Sequence, residues 1–320
     1  MDTIHITAGG DSSAIVVQER VFRGLKSLNL IYDPADAIRF GFDESYFLSL
    51  VDHEPVARHF KHKDAEPYHT VVAMNIRKFY LTARSFEKDW SLRALACATA
   101  FSLLGCLLDD WMDNGTEVQR RQAREILDWE NGCGVYFTGR AKANDTLTAS
   151  ILSELGAFLQ DIRANNPGSY KRLLSELRHC ATAECIAAAP THTTKDLPYA
   201  KNKSVLFALL GFRFAASGCL SREEERLCSL VGEIMSVVDD LCDLDEDVKH
   251  GQINSIFCKA GNWFDLLPVI DEAFQRIELI LNQLHEGFSR EFYEYLLYEL
   301  RVWSLDNEYI RSKVWRSVHG

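Results

Sequence analysis

Apolar residues recur three and four positions apart along most of this chain, the period of an α-helix that buries one face. The spacing predicts helices over about 14–28, 45–60, 66–86, 90–113, 118–130, 145–163, 168–188, 199–216, 221–249, 263–285, 289–300 and 302–315. Strand-like alternation is rare, and no Asn-Gly or Asp-Gly pair joins two β-branched runs as a hairpin would require. Breaks fall at Pro34, at Asn131-Gly132, across Asn165-Asn166-Pro167-Gly168, at Pro190 and at Gly251. No Pro/Ser-rich linker and no internal repeat divides the chain. The expected architecture is all-α: one helical domain over 13–320 behind a loosely ordered N-terminus, 1–12.

Composition removes several classes of function. The 320 residues can bury a sizeable core. Asp plus Glu number 46 against 35 Lys plus Arg, and a net charge of −11 argues against a nucleic-acid surface. Met1 to Arg20 has neither a basic start nor an apolar core, so no signal peptide is expected. Leu92 to Leu108 is apolar enough to resemble a membrane span. It is slightly short, carries Arg93 and runs into Asp109-Asp110, so a buried helix is expected and no membrane span. The nine cysteines are scattered without a CxxC pair. Those in helical apolar stretches, such as Cys97, Cys106 and Cys219, read as small core residues in a reducing compartment, and the chain as cytoplasmic. His179, Cys180, Cys185 and His192 match no common zinc spacing.

The informative chemistry lies in two aspartate-rich segments. Asp109-Asp110-Trp111-Met112-Asp113 and Asp239-Asp240-Leu241-Cys242-Asp243 both have the form DDxxD, and both end an apolar stretch. On a helix, residues four apart share a face, so Asp109 projects beside Asp113, and Asp239, Asp243 and Asp247 form one stripe. Carboxylates gathered on one face repel one another unless a cation lies between them. Only oxygen ligands are offered, which suits Mg²⁺, or Mn²⁺ in its place. Mg²⁺ usually keeps waters and shares its remaining positions with substrate phosphates, so two such rims suit a diphosphate.

The residues behind each rim are apolar or small. Helical steps back from Asp109 meet Gly105, Ser102, Phe101 and Ala98; from Asp239 they meet Met235, Gly232, Val231 and Cys228. The expected site is a dry pocket under an acidic mouth, with Gly105 leaving its face open and Phe101 as the floor.

These segments resemble the motifs of the class I isoprenoid synthases, the group of trans-prenyl diphosphate synthases and class I terpene cyclases. Ala94 to Phe101 and Leu107 to Asp113 are similar to the first aspartate-rich motif with its lead-in. Arg120-Arg121 resembles the arginine pair that follows it, two residues late. Lys203-Ser204-Val205-Leu206-Phe207 resembles a segment whose lysine contacts diphosphate. Asp239 to Asp247 and then Gly251 to Ser255 resemble the second motif and its sequel, with Gln252 where a lysine is usual. The order and spacing fit over about residues 90–260.

The resemblance implies a helical bundle around a central apolar cavity, three Mg²⁺ ions, a homodimer and a prenyl diphosphate substrate, of fifteen carbons or more because the residues before the first aspartate set chain length in prenyl synthases and here include the small Gly105. Asp109, Asp113, Asp239, Asp243 and Asp247 would hold metal, with Asp110 also catalytic. Lys203, Arg120, Arg121 and Gln252 would face diphosphate. Phe101, Gly105, Trp111, Phe207, Trp303 and Tyr309 would line the pocket, with Phe214 a further aromatic candidate. The prenyl synthases carry an N-terminal Gly-Lys-Arg segment for a second diphosphate. The nearest segment here, Gly24-Leu25-Lys26-Ser27, lacks the arginine, and with Gln252 this favours a cyclase over a chain-elongating synthase. A regulatory subunit is a third reading, but such partners usually lose an aspartate motif and this chain has both.

Overall fold

The computed structural model describes residues 11–41, 59, 62–140, 146–187, 197–250, 254–262 and 265–319. Every regular element among them is helical: α1 Asp11–Ser27, α2 Pro34–Phe40, a 3₁₀ turn Lys63–Tyr68, α3 His69–Ser85, α4 Leu92–Asp113, α5 Glu117–Leu127, α6 Cys133–Phe137, α7 Leu147–Asn165, α8 Pro167–Ala187, α9 Leu197–Ala215, α10 Arg222–Cys242, α11 Leu244–His250, α12 Ser255–Ala260, α13 Leu266–Gly287, α14 Arg290–Trp303 and α15 Glu308–His319. The all-α expectation from the 3.6-residue period is met. Start signals are of the ordinary kind: the side chains of Ser91, Thr146 and Ser289 accept from the first turns of α4, α7 and α14, and Thr116 with Gln119 forms a capping box on α5.

The chain divides into two compact units, Phe42–Ala188 with Leu206–Cys228, and Met1–Gly41 with Ala189–Val205 and Ser229–Gly320. In the first, α4 packs against α3, α5 and α7, and α7 in turn against α6 and α8. Ala94, Ala96, Cys97, Ala98 and Ala100 of α4 are all buried, their small side chains letting neighbours approach on every side. The most apolar window of this helix has a mean hydropathy of 1.5 and is 72% buried, so its greasiness serves packing. Phe79 meets Phe212 edge to face at 5.3 Å, with its ring set against Gly211, where a Cβ would lie 2.8 Å from it. Arg213, 3% exposed, pairs with Glu176 and with Glu225 at 3.2 Å, and Arg172 reaches the same two carboxylates. These four charges tie α8 to the adjoining ends of α9 and α10.

In the second unit α13 packs against α1, α12 and α14, and α14 against α2. Gly24 lies inside α1, and a Cβ there would fall 2.1 Å from the Phe274 ring of α13. The segment nearest to an isopentenyl diphosphate motif is thus a helix–helix contact. Arg276 donates to both carboxylate oxygens of Glu233 at 2.7 Å, linking α13 to α10.

Several boundaries differ from expectation. The helix expected over 221–249 divides into α10 and α11 at Asp243, and the one expected from 302 begins at Glu308, with the buried Asn307 accepting from Ile310 N. Short helices α2, α6 and α12 had too few residues to show a period. Cys219, expected in the core, is exposed: Ser217 and Gly218, at φ 52° and 76°, end α9 and turn the chain out before it. The expected helix at 45–60 lies outside the described residues except for His59.

Candidate functional site

The first acidic segment forms the end of α4, with Asp109 and Asp110 half-buried and Asp113 exposed. Asp109 makes itself felt one turn back: burial first, and then the Asp109 charge, push the Cys106 thiol up to about 12. Asp110 points to different partners. The Tyr68 hydroxyl donates to its Oδ2 at 2.6 Å and the Asn114 amide to its Oδ1 at 3.2 Å. Burial, and then this carboxylate, push the Tyr68 hydroxyl above its usual range, so it stays a donor. Trp111 is half-buried and two residues on from Asp109, hence about 200° round the helix from it.

The second segment spans the junction of α10 and α11. Asp243 N bonds to Asp239 O and Asp247 N to Asp243 O, both at 2.8 Å, so these two bonds keep the four-residue spacing across the break. Asp239, Asp243 and Asp247 therefore do stand on successive turns. Burial first, then the charges of Asp247, Asp306, Asp240 and Glu246, push the Asp243 carboxyl up to about 7. The Ser255 hydroxyl donates to Asp240 Oδ2. Asn254, 1% exposed, donates to Asp240 O at 2.7 Å and to Asp247 Oδ2 at 2.9 Å, while its own oxygen caps α12 through Ile256 N and Phe257 N.

Among the described residues no three carboxylate, imidazole or thiolate groups converge as a ready-made metal site. The donor set nonetheless fits a hard divalent cation. It offers only oxygen, on consecutive turns, and the Asp243 carboxyl is raised by burial first and by the neighbouring carboxylate charges after it. An ion that keeps waters and takes substrate phosphate as ligand does not require protein carboxylates to converge beforehand.

Phe101, Gly105 and Phe207, named from the sequence, line one apolar cavity of about 60 Å³ together with Leu104, Leu108 and Cys133. Ser102 and Ala98 are buried, but Leu104 and Leu108 are the cavity's α4 neighbours of Phe101 and Gly105. The Phe207 ring stacks on Phe101 at 4.9 Å, and Phe101 meets Phe214 at 5.1 Å. The face expected to stand open at Gly105 is occupied: a Cβ there would fall 2.1 Å from Cε2 and 2.3 Å from Cζ of Phe207. Phe207, not Phe101, is therefore the group against Gly105. The cavity is also far smaller than the roughly 300–1,000 Å³ of pockets that enclose a whole small molecule.

Lys203 is half-buried on α9 one turn before Phe207, so the two share a helix face. Arg120 is half-buried and Arg121 exposed on α5, the latter 4.0 Å from Glu125. Trp303 ends α14, half-buried. The resemblance sets Tyr309 on a dry wall. Its hydroxyl instead donates to Glu19, its ring carries Lys313 Nζ at 5.0 Å, and it lines a cavity of about 360 Å³ with Gln18, Asp245, Glu246 and Asn307. Those polar neighbours make it a poor site for a desolvated ring. Gln252 lies outside the described residues. The sequence reading missed Tyr68, Asn254 and Asp306 as neighbours of the aspartates. Asn254 alone carried a signal, as an N-cap residue just after the second motif.

No family model and no curated protein matches the chain. Among solved structures it is similar to a substituted cucumene synthase, with 12% identity and a TM-score of 0.44 over 97% of this chain and 98% of that one. It is also similar to linalool/nerolidol synthase from Streptomyces clavuligerus in complex with 2-fluorogeranyl diphosphate, with 12% identity and a TM-score of 0.42 over 97% and 98% of the two chains. At that identity and TM-score the likeness carries no functional weight, and the functional reading rests on the residues themselves.

Proposed function

We propose that this protein is a class I terpene synthase that ionises an allylic prenyl diphosphate of fifteen carbons or more and releases a terpene and diphosphate. The observation that carries this reading is a DDxxD at the end of each of two long helices, with Asp239, Asp243 and Asp247 linked by backbone bonds four residues apart across the division at Asp243. Mg²⁺ bound by such carboxylates would supply Lewis-acid charge that stabilises diphosphate as a leaving group. Its candidate ligands are Asp109 and Asp113 on α4 and Asp239, Asp243 and Asp247 on α10 and α11. Lys203, with Arg120 or Arg121, would add positive charge as the C–O bond breaks. Phe101 and Phe207 would keep water from the tip of the chain and present ring faces to a cation. The 60 Å³ cavity suits such a tip rather than a whole fifteen-carbon chain.

A chain-elongating prenyl transferase is the alternative. It needs a second diphosphate site, and Gly24, filled by Phe274 inside α1, favours the cyclase. The test is incubation of the purified protein with Mg²⁺ and allylic diphosphates of ten, fifteen and twenty carbons, with and without isopentenyl diphosphate. Hydrocarbon or alcohol from an allylic diphosphate alone is expected, abolished by chelator and by Asp109→Ala or Asp239→Ala. Full activity in excess chelator would refute the metal mechanism. A longer diphosphate formed only with isopentenyl diphosphate would establish the elongase.

A further inference from the structure

We propose that the cavity between α1, α11 and α15 binds a small organic ammonium ion that also carries an oxygen acceptor. The cavity, of about 360 Å³, is lined wholly by residues of the second unit. Its volume falls within the roughly 300–1,000 Å³ of pockets that enclose a whole small molecule. The proposal stands apart from the metal–diphosphate reading. Cys242 and Glu246, on the cavity wall, each precede a member of the Asp239–Asp243–Asp247 stripe by one position, about 100° round the helix from it.

The buried anchor is Gln18, 8% exposed. Its orientation follows from Asn307. Asn307 Oδ1 accepts from Ile310 N at 3.0 Å, so the Asn307 nitrogen faces the other way. That nitrogen donates to Cys242 O and, at 3.0 Å, to Gln18 Oε1. The Gln18 amide nitrogen is therefore left to the cavity, and among the described residues it has no hydrogen-bond partner. A buried donor left unmade is costly, and an oxygen in the cavity would satisfy it. The charge comes from Asp245, Glu246 and Glu308, which line the same space with no ion-pair partner among the described residues. Glu308 stands in the first turn of α15, where the helix dipole favours its ionised form. No lysine or arginine lines the cavity. Lys313, close by, is engaged by Glu19 at 3.2 Å. These features select the ligand. An N–H donor facing inward repels a bare metal ion, and three carboxylates repel an anion. Ala14 and Ile15 add an apolar wall for carbon. An ammonium group against the carboxylates, a short carbon chain, and an ether or hydroxyl oxygen against Gln18 satisfy all three.

The experiment is titration calorimetry of the full chain near neutral pH and at low salt, with three probes of equal length. Aminoethoxyethanol has the charge and the oxygens, hexylamine the charge alone, and diethylene glycol the oxygens alone. Aminoethoxyethanol is expected to bind, at a roughly millimolar Kd for so small a ligand, and about tenfold more tightly than either of the others. Glu308→Gln, at an exposed position, should weaken both amines and leave the glycol unchanged. Gln18→Glu keeps an oxygen for Asn307 but offers the cavity no N–H, so the preference over hexylamine should vanish. Glu308→Gln carries the test if Gln18→Glu does not fold. Equal affinity for all three probes, or no binding of aminoethoxyethanol, would overturn the proposal. So would binding that is lost in Asp239→Asn but kept in Glu308→Gln, which would put the amine on the aspartate motif instead.

Discussion

Gly105→Ala is the sharpest perturbation available, because a single methyl group there meets the edge of one ring. The new Cβ would lie 2.1 Å and 2.3 Å from Phe207 Cε2 and Cζ. Ordinary carbon–carbon contact is about 3.5–4.0 Å, so the ring edge must retreat by about 1.5 Å. It can do so by leaving its stack on Phe101, by entering the cavity it lines, or both. Overpacking of this kind costs about 1–3 kcal/mol, while replacing Gly by Ala within a helix returns about 1 kcal/mol. The net is a destabilisation of about 0–2 kcal/mol, which alone decides little. The decisive quantity is the coupling to Phe207. In a Phe207→Leu background the obstructing edge is gone, and Gly105→Ala is expected to stabilise through helix propensity. Urea unfolding of the two single variants and the double variant should give a coupling of about 1–3 kcal/mol, in the range found for touching residues. In parallel, relative turnover of ten-, fifteen- and twenty-carbon allylic diphosphates should shift towards ten carbons in Gly105→Ala. Additivity within about 0.5 kcal/mol together with an unchanged chain-length profile would show that this ring and this glycine do not shape the pocket.

Arg213→Met should cost about 3–5 kcal/mol in urea unfolding, because it removes the buried guanidinium that pairs with Glu176 and Glu225; a loss below about 1 kcal/mol would show the cluster to be expendable. Asp243 sets a pH dependence in the metal-free protein. Its carboxyl rises from 3.8 to about 7 on folding, so the folded chain holds this proton more tightly than the unfolded one. The stability from this group is full below pH 3.8 and is lost as pH rises through about 7. Asp243→Asn does not titrate. In excess chelator its melting temperature relative to wild type should therefore climb between about pH 4 and 7 and then level off, and a difference that ignores pH would contradict the placement of Asp243.

The features that local sequence determined are those set by a repeat along one helix. The apolar period needed no distant partner to predict α3, α4, α7 and α13, and Ser91 and Thr116 mark the starts of α4 and α5 by chemistry within three residues. Four-residue spacing likewise placed Asp239, Asp243 and Asp247 on one face. It survived the division at Asp243 because the backbone N–H groups of Asp243 and Asp247 still reach back four residues. What the sequence could not determine are contacts between residues far apart along the chain. Gly105 reads as open space on α4 alone; only the packing of α9 against it brings in Phe207. Asp110 looks like its neighbours until Tyr68, 42 residues earlier, takes its oxygen. Asp306 raises Asp243 from 63 residues away, and Tyr309 is drawn to Glu19 across 290. Periodicity reports which face of a helix is buried; which atoms cover that face is decided by steric fit and charge compensation among distant residues, and those exist only once the chain has folded.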